Sequence, residues 1–142
     1  MTAPPSESTG TGSMEGKTVV RTEKAPAPFQ GAPYSQAIKA AGFVFVSGQL
    51  GLAPGGSEMV GSTIEEQTRQ IFDNLAAILD AAGSALDRIV KTTVFLTRLD
   101  DFQGMNGVYA ERVGEPPPAR STIEVGALPS GALVEIDAIA AL

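Results

Sequence analysis

Arg120, Thr122 and Glu124 recur at every second residue of PPPARSTIEV, residues 116–125, where β-branched content predicts a strand. A period of two puts this cation, hydroxyl and carboxylate on one strand face, with Ala119, Ser121, Ile123 and Val125 on the other. An arginine so placed offers a planar donor fork that holds a carboxylate through two parallel hydrogen bonds. An ordinary ion pair with Glu124 is the plainer use of the same guanidinium. The prolines fix where the strand begins and hold the arginine backbone in one place. In LVEIDAIAAL (133–142), the last predicted strand, Glu135 and Asp137 also share a face. Glu135 and Glu124 are the carboxylates suited to positioning a water or taking its proton, and their plainer reading is solvated strand charge.

Three further polar residues stand where a pocket needs them. Asn106 falls four residues after Phe102 and adjoins an apolar helical stripe, as a structural amide or a ligand contact. Tyr34 and Ser47 open and close the first pair of predicted core strands. The stretch SGQLG (47–51) has neither the lysine nor the glycine spacing of a phosphate loop.

Composition excludes several chemistries. The 142-residue chain contains no cysteine and no histidine, so disulfides, thiolate nucleophiles and Ser-His or Cys-His pairs are impossible within it. A metal would have only oxygen ligands, and no metal or cofactor is expected. The net charge of −6, with no basic run, argues against a nucleic-acid partner. No apolar stretch reaches membrane-spanning length, and no secretory signal opens the chain, so a cytoplasmic protein is expected.

The elements that must position these residues follow from pattern. Residues 1–17 are rich in Pro, Ser, Thr and Gly and read as a flexible tail, with one folded domain over 18–142. TVVR (18–21) is a possible edge strand. YSQAIKA and FVFVSG read as strands joined tightly through Ala41-Gly42. A helix follows, its start marked by Ser62 with Glu65 or, in a second register, Thr63 with Glu66. Its apolar positions are Ile64, Ile71, Leu75, Ile78 and Ala82, and Gly83 is the expected C-cap. IVKTTVFLT (89–97) is a strand with Val90, Thr92, Val94 and Leu96 on one face. Asp100 or Asp101 then starts a second helix with the stripe Phe102, Met105, Tyr109 and Val113, weakened by Gly104 and Gly107. The expected fold is α+β, a ββαβαβ sheet with both helices on one face. If the helices cover the apolar sets, the other face is part polar and part apolar, which favours a closed symmetric oligomer.

The segments GAPYSQAIKA, FVFVSGQLGL, EEQTRQIFDNLAAILDAAG, IVKTTVFLTRLDDFQGMN, PPARSTIEV and LPSGALVEIDAIA resemble, in that order, the RidA (YjgF) family. The resemblance runs from about Gly31 to the C-terminus. It implies a chorismate-mutase-like fold in a trimeric barrel, with sites between subunits. It also implies hydrolysis of 2-imino and enamine acids, such as 2-aminoacrylate and 2-iminobutanoate, to 2-keto acids and ammonia, without a cofactor. Arg120 matches the family's carboxylate-binding arginine and Glu135 the glutamate associated with the attacking water. Tyr34, Ser47 and Asn106 match its pocket residues. Thr122 stands where the family often has cysteine. A non-catalytic metabolite-binding trimer is the alternative, and a ribonuclease or translation inhibitor a weaker one.

Overall fold

The computed structural model describes residues 13–14 and 16–142. Of the expected tail, residues 1–12 and 15 lie outside the described residues. The elements are β1 (Ser13–Met14), β2 (Lys17–Val20), β3 (Ala37–Ala40), β4 (Phe43–Gln49), α1 (Ile64–Ala82), β5 (Ile89–Leu96), α2 (Phe102–Arg112), β6 (Ala119–Glu124) and β7 (Val134–Ala141). They form one sheet in the order β1-β2-β3-β4-β7-β5-β6. Every neighbouring pair is antiparallel except β5 and β6, which are parallel. The ββαβαβ order runs from β3 to β6. β7 then returns to insert between β4 and β5, and β2 is the strand expected near 18–21, lying inside the edge because β1 pairs along its outer side.

Local signals explain most boundaries. The β3–β4 hairpin turns through Ala41 at φ 54° and Gly42 at φ 86°, the paired positive φ values of a two-residue hairpin loop. For α1 the second cap register is realised. Thr63 accepts a hydrogen bond from Glu66 N (3.1 Å), and Glu66 Oε1 accepts from Thr63 N (3.2 Å) and Ser62 N (3.0 Å). Gly83 closes the helix in the left-handed region, as expected.

Both helices cover one face of the sheet. Ile71, Phe72, Leu75, Ile78 and Leu79 of α1 and Met105 and Tyr109 of α2 pack on Val44, Val94, Leu96, Val134 and Ile136 in a single core. Burying each large apolar side chain contributes about 1.5–3 kcal/mol. That outweighs the roughly 1 kcal/mol each glycine of α2 costs. Gly104 also has a positive use, because a Cβ there would lie 2.7 Å from Ile64 Cγ2. It lets the two helices approach.

Two expectations about strand faces need correction. Val90 is 44% exposed and Ile89 is buried instead. Ile89 and Lys91 pair with adjacent residues Ala140 and Ile139 of β7, so Val90 is an extra residue at a bulge and alternation restarts after it. On β6 the polar set does not lie on the helix-free face. Arg120 and Thr122 pair in parallel register with Thr92 and Val94, both fully buried beneath the helices, so they point to the helix side. It is Ile123, 45% exposed, that looks the other way. The helix-free face thus combines Phe43, Phe45 and Ile123 with Thr93, Ser121, Glu135 and Asp137.

Candidate active site

One cluster forms where α2 meets the edge strand β6. The parallel register of β6 on β5 aims Arg120 at the side of α2 that carries Phe102, Asn106 and Tyr109, residues spaced four and three apart on one helical stripe. The guanidinium carbon lies 4.7 Å from the Tyr109 ring centroid and 5.5 Å from that of Phe102. Such stacking favours a cation without consuming its N–H donors. Among the described residues Arg120 makes no salt bridge; the ion pairs are Arg98–Asp100 and Arg112–Asp73. The plain alternative, a pair with Glu124, does not form. Glu124 Oε1 instead accepts from Leu99 N at 2.8 Å, tying β6 to the turn before α2.

Asn106 deepens the same cluster. Its Oδ1 is buried and has no hydrogen-bond partner. An orphaned acceptor of this kind costs about 1–3 kcal/mol, so it needs a reason. A ligand N–H arriving beside Arg120 would supply one. Thr122 is half-buried one rung along the same strand face.

A second cluster forms on the helix-free face. Glu135 pairs with Phe95 across β5 and extends over β4, where a Cβ on Gly48 would fall 2.0 Å from Glu135 Oε2. Only glycine leaves room for the carboxylate. Burial, and then the nearby charge of Asp137, push the Glu135 carboxyl above its usual range. Asp137 itself accepts from Thr93 N at 3.1 Å. Ser47, at the β4 bulge, donates its hydroxyl to Ser35 O at 2.6 Å. Tyr34 is exposed, and its hydroxyl accepts from Phe29 N at 3.1 Å. Tyr34, Gln36 and Gly48 line a cavity of about 30 Å³, room for water rather than for a metabolite.

The sequence-predicted residues therefore divide. Arg120, Thr122 and Asn106 gather on the helix side, Ser47 and Glu135 belong to the opposite side, and Tyr34 lies in the loop before β3, sharing a small cavity with Gly48. Arg120 and Glu135 thus face opposite sides of the sheet. Phe102 and Tyr109 were legible only as an apolar stripe. That they wall in a cation depends on β6 lying against α2, and their spacing around Asn106 is the one local hint. No cluster of three or more potential metal ligands occurs among the described residues.

The chain is similar to known proteins over most of its length. Residues 22–142 match the family described as endoribonuclease L-PSP. A RutC family protein of Pyrococcus horikoshii is 50% identical over 87% of this chain and 97% of its own. The chloroplastic Reactive Intermediate Deaminase A of Arabidopsis thaliana is 49% identical, over 89% of this chain and 66% of that protein. The crystal structure of E. coli TdcF with bound serine superposes with a TM-score of 0.80 at 35% identity, covering 87% of this chain and 98% of that one.

Proposed function

The chain belongs to the RidA (YjgF) family, and on that premise we propose that it hydrolyses reactive 2-imino and enamine acids to 2-keto acids and ammonia. The substrates in view are 2-iminopropanoate, with its tautomer 2-aminoacrylate, and 2-iminobutanoate. The observation that carries the reading is the Arg120 guanidinium, stacked on two aromatic rings with no carboxylate partner among the described residues. Serine in E. coli TdcF is an amino acid on the same fold, in keeping with a site for small 2-substituted carboxylates.

Because Arg120 and Glu135 face opposite ways, each working site is assigned to the junction of two subunits in a homotrimer. Arg120, Thr122 and Asn106 come from one subunit, and Tyr34, Ser47 and Glu135 from its neighbour. The apolar content of the helix-free face supports closure into such an assembly. No helix among the described residues is long and apolar enough to cross a membrane.

The chemistry asks little of the protein. Arg120 takes the substrate carboxylate, and Asn106 Oδ1 accepts from the iminium nitrogen. Water attacks C2 as Glu135 removes its proton. Glu135 returns that proton to nitrogen, the C–N bond breaks to release ammonia, and the hydroxyl proton passes to that ammonia, so ammonium and a 2-keto acid leave. A carboxyl raised toward neutrality both accepts and returns a proton readily. Fixing water and imine in reactive geometry lowers the barrier by as much as ~7–11 kcal/mol, so neither metal nor nucleophile is required.

An amino-acid oxidase that generates the imine, with a trapping nucleophile present, tests the proposal. Purified protein should deplete the trapped adduct and Arg120→Ala should not. Equal adduct with and without protein would sink the reading. Ligand-induced stabilisation without turnover would favour the binding-module alternative.

A further inference from the structure

We propose that Tyr109 is the positioning residue of the Arg120 clamp and that Thr92 sets its orientation; this rests on the carboxylate-binding reading of Arg120. Tyr109 touches the clamp through its ring face, 4.7 Å from the guanidinium carbon. The ring is fixed from two other directions. It packs against Phe72 in a T-shaped pair, with centroids 5.5 Å apart and planes at 85°. Its hydroxyl bonds Thr92 Oγ1 at 2.6 Å, where both residues are buried.

The placement of Thr92 gives this contact its meaning. Thr92 is the β5 register partner of Arg120 on β6, so one rung of the sheet carries both the cation and the anchor of its aromatic wall. Backbone pairing, the Thr92–Tyr109 hydrogen bond and the ring–guanidinium contact close a loop of three fixed links. Arg120 needs such a device. It lies on an edge strand and has no salt bridge among the described residues, so the aromatic walls are left to limit the swing of its long side chain. Phe102, the other wall, is 37% exposed and has no polar anchor. Tyr109 is the fixed wall and Phe102 the adjustable one.

Tyr109→Phe keeps the ring and deletes the anchor, while Thr92→Val deletes it from the other end at nearly constant volume. Each should raise KM for the imino acid about three- to tenfold and leave kcat within about twofold, as expected when ~1 kcal/mol of clamp order is lost. The double variant should be no worse than either single one, because both remove the same link. Thr92→Ser, which restores the hydroxyl, should recover most of what Thr92→Val loses. The Arg120 Nε–H resonance and the affinity for 2-oxobutanoate, the product acid, give a readout independent of turnover. In Thr92→Val the resonance should lose dispersion and the affinity should fall by the same factor.

Unchanged KM and keto-acid affinity in folded Thr92→Val would overturn the positioning role. So would a lowered melting temperature with unaltered Arg120 resonance, since that describes a merely structural bond. If the parent protein binds 2-oxobutanoate but hydrolyses no imine, the enzymatic reading fails while the positioning test still decides through affinity.

Discussion

Arg120 and Glu135 lie on strands separated only by β5, yet the two charges are treated in opposite ways. Arg120 is stacked on rings from its own helix layer, which accommodates positive charge and leaves its donors free. Glu135 is packed over a glycine beside a second carboxylate, which penalises negative charge. One region is built to receive an anion and the other to give up its own charge. On the proposed reading neither acts alone, and the sheet holds them on opposite faces.

That contrast can be broken outright by mixing. Arg120→Ala and Glu135→Ala chains should each be inactive, yet assemblies formed from equal amounts of both should regain about a quarter of parental activity, the random share of sites with both intact halves. No recovery from well-mixed assemblies would mean both residues serve a site within one chain. Next, Glu135→Gln should lower kcat roughly 10²–10⁴-fold in the imine assay. The same change should raise the melting temperature at neutral pH. The folded-state pKa is raised, so the charged carboxylate opposes folding; the benefit of the neutral amide should shrink as pH falls through that pKa. Arg120→Lys keeps the charge and loses the fork, and should raise KM about tenfold or more in steady-state kinetics.

The smallest effect concerns Asp137. Asp137→Asn retains an oxygen for the Thr93 N–H but removes the neighbouring charge. With Glu135 as the proposed base, activity should fall away in acid at a higher pH than for an ordinary carboxylate. In Asp137→Asn that acid limb should move to lower pH, modestly, since burial is the larger cause. A pH–rate profile of kcat/KM checks it.

Alternation along PPPARSTIEV correctly groups Arg120 with Thr122 and Glu124, because a period of two is a property of the strand itself. It cannot say which side of the sheet that group faces. The side depends on β6 pairing parallel to β5 and on α2 lying over both, neither of which is a local signal. For the same reason the ion pair with Glu124 was open to expectation, although Glu124 turns out to bond the Leu99 amide. The cap at Thr63 and the stop at Gly83 were readable because they are settled within four residues. Val90 was misplaced because a bulge shows itself only against the partner strand. The fold class could be read; the placement of Arg120 and Glu135 on opposite faces required the register.

Gly48 carries a consequence for anyone diversifying this scaffold. Its φ lies outside the left-handed region, so the backbone accepts a larger residue, and what a Cβ would strike is the movable end of Glu135. A randomised library at this codon should therefore yield many variants that express and purify normally while their carboxylate is displaced. Screens that score solubility would rate the position permissive, and screens that score turnover would rate it closed.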